Sequence, residues 1–174
     1  MPQIARLPCA ASILLLASCQ GPEAGSARPP EMRLEGVRFL AYRGPDLALR
    51  GEAAQVRYLR QTSEFEARDA VVVLPRPGVP DLRIAAPVVK GDVAARTYHA
   101  SGGVTATRGP EEARTASARW SGADGQVRGD EPVAMRGPGW RLDGSSFTLD
   151  PATGDADVRG AVRMVVTPSA GAGR

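Results

Sequence analysis

The stretch Leu142-Asp-Gly-Ser-Ser-Phe147-Thr-Leu149-Asp150-Pro-Ala-Thr-Gly154-Asp-Ala-Asp-Val158-Arg-Gly160-Ala-Val162-Arg-Met164 decides the fold. Phe147 and Leu149 fall on one side of an extended segment, with Thr148 and Asp150 on the other. Asp150 to Asp155 then supplies turn chemistry: proline presets φ, glycine admits positive φ, and aspartate caps its own backbone. Val158, Gly160, Val162 and Met164 return on one parity, against Arg159, Ala161 and Arg163. The pattern predicts a hairpin of two half-buried strands.

The unit recurs. Counting from Gly144, the residues three, five, fourteen and sixteen further on are Phe147, Leu149, Val158 and Gly160. The same offsets give Ala116, Ala118, Val127 and Gly129 from Ala113, and Ala54, Val56, Phe65 and Ala67 from Gly51. A further copy lies between them, slipped by about one residue, in Leu82–Val88 and Thr97–Thr105. A repeat of roughly 30 residues, each a strand pair unable to bury its apolar face alone, predicts a stacked β architecture.

The rest of the chain agrees. Leu34, Val37, Phe39 and Leu40 form a first strand closed by Arg43-Gly-Pro45, and Phe65–Leu74 a further one closed by Pro75-Arg-Pro77. Leu82, Ile84, Ala86 and Val88 alternate, and strands are expected over Thr97–Thr107, Ala113–Trp120, Val127–Met135, Trp140–Leu149 and Val162–Thr167. Gly51–Leu59 has a composition that could wind as a helix, but the repeat alignment makes it a strand. The expected class is all-β.

With 174 residues the chain suits one domain and a targeting segment. Aromatics are only 5%, so the core must be built mostly from Val, Leu and Ala. The net charge of +3 rests almost wholly on arginine, Lys90 being the sole lysine. No basic run with interleaved aromatics exists, so no nucleic-acid partner is expected.

Residues 1–18 read as a signal peptide: Ala10–Ser18 is apolar but too short for a mature transmembrane helix. Leu16-Ala-Ser-Cys19 resembles the bacterial lipobox, in which small residues fit the peptidase and the cysteine thiol accepts the lipid. Lipidation is expected at Cys19, and residues 19–30 form a Gly/Pro/Ser/Ala tether. Cys9 and Cys19 are the only cysteines, so the body over residues 31–167 has neither disulfide nor thiol chemistry, and residues 168–174 are a tail. Gln20, where an aspartate signals inner-membrane retention, permits an outer-membrane destination.

Catalytic chemistry is scarce. His99 is the only histidine, which excludes a histidine metal cluster and leaves a cross-strand surface role. Asp150, Asp155 and Asp157 lack calcium-loop spacing and read as a polar turn. Glu111-Glu112 and Asp130-Glu131 read as solvated loops, and Gly102-Gly103 has no following helix to bind phosphate. No enzyme, cofactor or metal is expected.

The phrase Arg83-Ile84-Ala-Ala86-Pro87 through Tyr98-His-Ala-Ser-Gly-Gly103-Val104-Thr105, then Ala116-Ser-Ala118-Arg-Trp120 and Val127-Arg-Gly129, resembles the lipopolysaccharide-export periplasmic jelly-roll family of LptA, LptC and OstA type. The similarity runs from about Leu34 to Val166. It implies an open β-jelly roll, or β-taco, in which two facing antiparallel sheets hold the acyl chains of lipid A in a hydrophobic groove. The groove candidates are then Val56, Tyr58, Phe65, Ile84, Val88, Trp120, Val127, Phe147, Leu149 and Val158. Ala54, Ala86, Ala116 and Ala118 leave room between the sheets. Val37 and Phe39 on the first strand, and Val162, Met164 and Val166 on the last, are candidates for joining neighbouring jelly rolls by β-augmentation.

The resemblance implies a periplasmic, membrane-anchored lipoprotein of a Gram-negative envelope, most like LptC. Such a component takes lipopolysaccharide from the inner-membrane export ABC transporter and hands it to the periplasmic bridge. The family's inner-membrane address stands against the lipobox and Gln20. Alternatives are an LptA-like bridge segment, or a structural β-rich envelope lipoprotein that binds a protein and no lipid.

Overall fold

A computed structural model describes residues 30–167. The expected signal peptide, Cys19, nearly all of the tether and the tail lie outside the described residues. Twelve strands follow one another: β1 (Glu31–Arg43), β2 (Asp46–Leu59), β3 (Glu64–Leu74), β4 (Leu82–Asp92), β5 (Thr97–Arg108), β6 (Glu111–Ser121), β7 (Val127–Gly129), β8 (Val133–Gly137), β9 (Trp140–Gly144), β10 (Ser146–Leu149), β11 (Ala156–Arg159) and β12 (Arg163–Val166). All pairings are antiparallel. The all-β expectation holds, and Gly51–Leu59 lies in β2.

β1 to β6 form a plain meander, after which the ladder forks. The second half of β6 pairs with β7, and the line continues through β10 to β11. The first half of β6 pairs with β8, and that line continues through β9 to β12. β7/β8, β9/β10 and β11/β12 are therefore long strands interrupted midway. Across the whole sheet the interruptions fall on one line, the crease, and the sheet folds there into two facing halves. Half I holds the segments around Val56, Ala67, Val89, Ala118 and Phe147; half II holds those around Ala53, Ala70, Ile84, Val133 and Leu142. The two facing sheets are halves of one continuous ladder.

The crease is made by a slip in the alternation. Ala67 and Ala70 are both buried, with Arg68 and Asp69 exposed between them. Likewise Ala53 and Val56 point inward around the exposed Ala54 and Gln55. In β2, β3 and β4 the strand steps over one extra residue and its inward parity reverses, whereas β5 spends Gly102-Gly103 there, keeps its parity from Ala100 to Val104, and shifts register by one against β4 and β6. Backbone chemistry permits the step. Gly36 (φ 59°), Asp69 (49°), Gly102 (86°), Gly103 (101°), Gly160 (68°) and Ala161 (43°) all sit on or beside this line in the left-handed region. On β4 the step falls at Pro87, which has no N–H to donate.

Three expectations are corrected by this slip. Ile84 and Ala86 face inward, but Val88 pairs with Arg68 and Ser101 on the outer face, and Val89 takes the inward place beyond Pro87. Ala54 and Ala116 are exposed, leaving Ala86 and Ala118 as the spacers. Val162 is not in the last strand, which begins at Arg163 after the break at Gly160–Val162. Likewise Val127–Met135 and Trp140–Leu149 are each two strands. The roughly 30-residue repeat corresponds to one outward and one returning strand, with half I turns at 60–63, 93–96, 122–126 and 150–155.

Candidate functional site

The inner face of half I carries two apolar rows. Farther from the crease, Tyr58 pairs with Phe65, Phe65 with Gly91, Gly91 with Tyr98, and Tyr98 with Trp120. The row then passes through Val127 to Leu149. Nearer the crease, Val56 pairs with Ala67, Ala67 with Val89, Val89 with Ala100 and Ala100 with Ala118, and the row ends at Phe147 and Val158. In half II the matching row runs from Phe39 and Gly51 through Val72 and Ile84 to Met135, Leu142 and Met164. Nine of the ten groove candidates thus share the inner face, Val88 being the one outside it. Tyr98, Val89, Val104, Met135 and Leu142 belong to the same face and were not singled out by sequence.

Glycines shape this surface. Each inward aromatic in four ladder positions lies over its directly paired glycine: Phe39 over Gly51, Phe65 and Tyr98 over Gly91, Phe147 over Gly129, and Trp140 over Gly137. A Cβ on Gly91 would meet Tyr98 Cδ1 at 2.5 Å and Phe65 Cε1 at 2.8 Å. The missing side chain therefore lets the rings lie down on the sheet, the arrangement known for cross-strand aromatic–glycine pairs. Tyr98 and Trp120 stack with ring centroids 5.1 Å apart and planes 10° from parallel. Phe65 tilts against Tyr98 at 5.7 Å.

Burial on this face is inverted relative to an ordinary core. The buried apolar residues are Ala53, Ala67, Ala70, Ala86, Ala118, Val104, Val133 and Leu82, nearly all small and next to the crease. Among the described residues no large side chain is fully buried. Phe65, Tyr98, Trp120, Phe147 and Ile84 remain half-buried. Farther from the crease the inner face is an apolar trough whose larger side chains stay partly exposed. Across its rim, the β10–β11 turn reaches half II, where the Arg76 guanidinium donates to the Ala152 carbonyl oxygen. Asp150 organises that turn, its Oδ1 accepting from Ala152 N at 2.7 Å.

The outer face is charged. Directly behind the aromatic row, Arg57, Glu66, Lys90, His99, Arg119 and Arg128 form one ladder row. Charges here answer one another: Glu66 holds Arg68 at 3.2 Å and Lys90 at 3.6 Å, and Arg119 meets Asp130 at 3.7 Å. On half II, Glu112 pairs with Arg136 at 3.0 Å and also with Arg114. Burial raises the Glu112 pKa, but hydrogen bonds from Arg136 and Arg114 outweigh it and hold the carboxyl below its ordinary value. Exposed pairs of this kind add little stability, about 0–1 kcal/mol each. His99 lies in this row between Lys90 and Arg119.

Among the described residues both sheet edges are open. β1 has only β2 beside it, and β11 and β12 have only β10 and β9. Apolar side chains crowd these edges: Met32, Leu34, Phe39, Leu40 and Tyr42 on one, Val162, Met164, Val165 and Val166 by the other, all exposed. Val37 is half-buried at the first edge.

No family model matches the chain. No curated protein matches it in sequence either. Solved structures do match its fold. One is LptH of Pseudomonas aeruginosa, described as the LptA homologous periplasmic component of the conserved lipopolysaccharide transport device. The TM-score is 0.53 over 69% of this chain and 95% of that chain, at 13% sequence identity. What the two share at that identity is the fold, so the folded sheet described above is an open β-jelly roll of the LptH kind.

Proposed function

We propose that this chain is a lipid-anchored periplasmic component of lipopolysaccharide export, holding lipid A acyl chains in the trough and relaying them along jelly rolls joined edge to edge. The observation that carries this reading is the inverted burial. Protein interiors are ordinarily close-packed by large apolar side chains; here small residues are buried and the large ones line an unsealed apolar surface. A single-chain protein rarely leaves such a surface open without an occupant.

Support comes from two further directions. The fold neighbour LptH is a periplasmic component of a lipopolysaccharide transport device. The two open apolar edges suit addition of a neighbouring sheet, and an unpaired edge is otherwise an aggregation liability. Lipidation at Cys19 would tether the body to a membrane, as an LptC-like component receiving lipid from the inner-membrane ABC transporter. Likeness to an LptA homologue, with an edge free at each end, favours the bridge-like role for the body itself.

Photo-crosslinking residues placed at Tyr58, Trp120 and Phe147 capture lipopolysaccharide in cells, whereas the same residue at Arg57, Arg119 and Thr148 captures little. A one-residue step reverses the face. Equal capture on both parities, or none at the inward sites, leaves the structural-lipoprotein alternative standing instead.

A further inference from the structure

Arg108 ends the inward row of β5, directly opposite Leu82, and so points into the trough from the half II side. Its Nε is shielded from solvent and has no hydrogen-bond partner. Arg76, in the β3–β4 connection, approaches the same place. A Cβ built on Gly154 would lie 2.6 Å from Arg108 Nη1 and 2.8 Å from Arg76 Nη1. Two guanidiniums therefore converge on one point of the β10–β11 turn, at the rim where the halves meet.

No carboxylate answers them. None of the ion pairs among the described residues involves Arg76 or Arg108. Of the nearby acids, Asp81 is taken by Arg50 at 3.2 Å, and Asp150 accepts from the backbone of its own turn. Glu111, the ladder partner of Arg108, forms no pair with it. Other arginines, Arg38, Arg60, Arg83 and Arg96 among them, also take part in none of these ion pairs; what sets Arg76 and Arg108 apart is that both guanidiniums reach one point beside Gly154. Two convergent like charges, one of them with a shielded and unpartnered Nε, suit a multiply charged oxyanion, which guanidiniums bind in a forked, charge-assisted geometry.

We propose that Arg76 and Arg108 form a phosphate clasp at the rim of the trough, holding the phosphorylated headgroup of an amphiphile whose chains lie between the sheet halves. The proposal rests on the lipid-trough reading and adds the headgroup chemistry. Gly154 is part of the device, because any side chain there would occupy the space where the guanidiniums meet. Phosphate binding also competes with the Arg76 hydrogen bond to Ala152, so a bound headgroup draws the clasp away from the turn.

The test measures equilibrium binding of bisphosphorylated lipid A, and of the same lipid A after dephosphorylation, to the full mature chain. The wild type prefers the phosphorylated form at least about tenfold. Arg76→Gln/Arg108→Gln binds both forms equally, at the wild type's affinity for the dephosphorylated one, while Arg83→Gln on the outer face keeps the preference. A double variant that retains the preference, or loses both forms alike, overturns the clasp, as does a wild type with no preference. Inorganic phosphate separates headgroup from trough: at millimolar concentration it shifts the Arg108 Nε–H resonance where chloride of equal ionic strength does not. If neither lipid form binds, the trough reading falls and this resonance alone decides. An unmoved signal there overturns the clasp too. The wild-type preference and the resonance stand even if the double variant fails to fold.

Discussion

The crease and the rim of this sheet are built from opposite materials. At the crease sit Ala53, Ala67, Ala70, Ala86, Ala118 and Val104, all buried; toward the rim sit Phe65, Tyr98, Trp120 and Leu149, all half-exposed. In a β-sandwich with faces about 10 Å apart, large residues meet at the centre. Here, Leu82 apart, the fully buried side chains are the small ones and the large ones stay partly exposed. Burial is concentrated along the fold line, and the apolar surface beyond it stays partly exposed.

The sharpest way to break this comparison is to charge the two valines that follow the step in β4. Val89 packs against both buried clusters, whereas Val88 lies outside beside Arg68. Val89→Asp should destabilise by about 2–4 kcal/mol, the burden of an unpaired carboxylate among apolar groups. Val88→Asp should change stability by no more than about 0.5 kcal/mol, as surface substitutions do. Urea unfolding decides it. Equal losses would mean that β4 keeps its alternation through Pro87 and that the crease is drawn in the wrong place.

A second test enlarges the spacers. Ala118→Leu in the crease should cost about 1–3 kcal/mol through overpacking, visible as a lower urea midpoint at unchanged slope. Ala113→Leu, on the inner face of half II but half-buried, should cost well under about 1 kcal/mol, because the trough has room for it. If Ala113→Leu proves the costlier change, the interior is a filled sandwich.

Much of this was legible in the sequence and one feature was not. Phe147, Leu149 and Val158 read correctly as one face of a hairpin because alternation is unbroken over Ser146–Leu149 and Ala156–Arg159. The slip at the crease was invisible, since the residues on either side of it are interchangeable by composition. Ala54 and Ala53, or Ala116 and Ala118, give no signal as to which is buried. Val88 and Val89 are the same residue type, so the apolar pattern itself does not show the parity reversal at Pro87. The signals that could have found it were Pro87 inside a strand and Gly102-Gly103 beside it in the next. The glycines opposite aromatics were likewise unreadable until the register paired them.

The glycine slots permit a smaller test of how the rim stays open. Gly129 is buried and lies under the Phe147 ring. Gly129→Ala should lift the ring into the trough and cost about 1 kcal/mol. In a Phe147→Leu background the same change should be neutral or slightly stabilising, because glycine in a strand is itself unfavourable by about 0.5–1 kcal/mol. A double-mutant cycle measures the coupling directly. Simple additivity would mean that the ring does not rest on the glycine.

The smallest effect belongs to the point farthest from the crease on an open edge. Glu31 begins β1 and accepts from Arg57 Nε at 2.9 Å and from Arg33 Nε at 2.6 Å. The Arg57 hydrogen bonds, followed by that from Arg33, bring its carboxyl down to a pKa of about 2 from an ordinary 4.5. A carboxylate with a depressed folded pKa stabilises the structure above its unfolded pKa, and that contribution fades as pH falls through the folded value. The end of β1 should therefore be fully held above pH about 4.5 and loosen progressively toward pH about 2. Because the pair is on the surface, the loosening is local. Amide exchange at Met32 to Leu34 should quicken, relative to intrinsic rates, across that window, and crease amides such as Ala118 should change less. Glu31→Gln should exchange faster at neutral pH and lose the dependence. An identical pH profile in that variant would show that the ion pairs do not hold the edge, and that β1 is kept in place by its ladder alone.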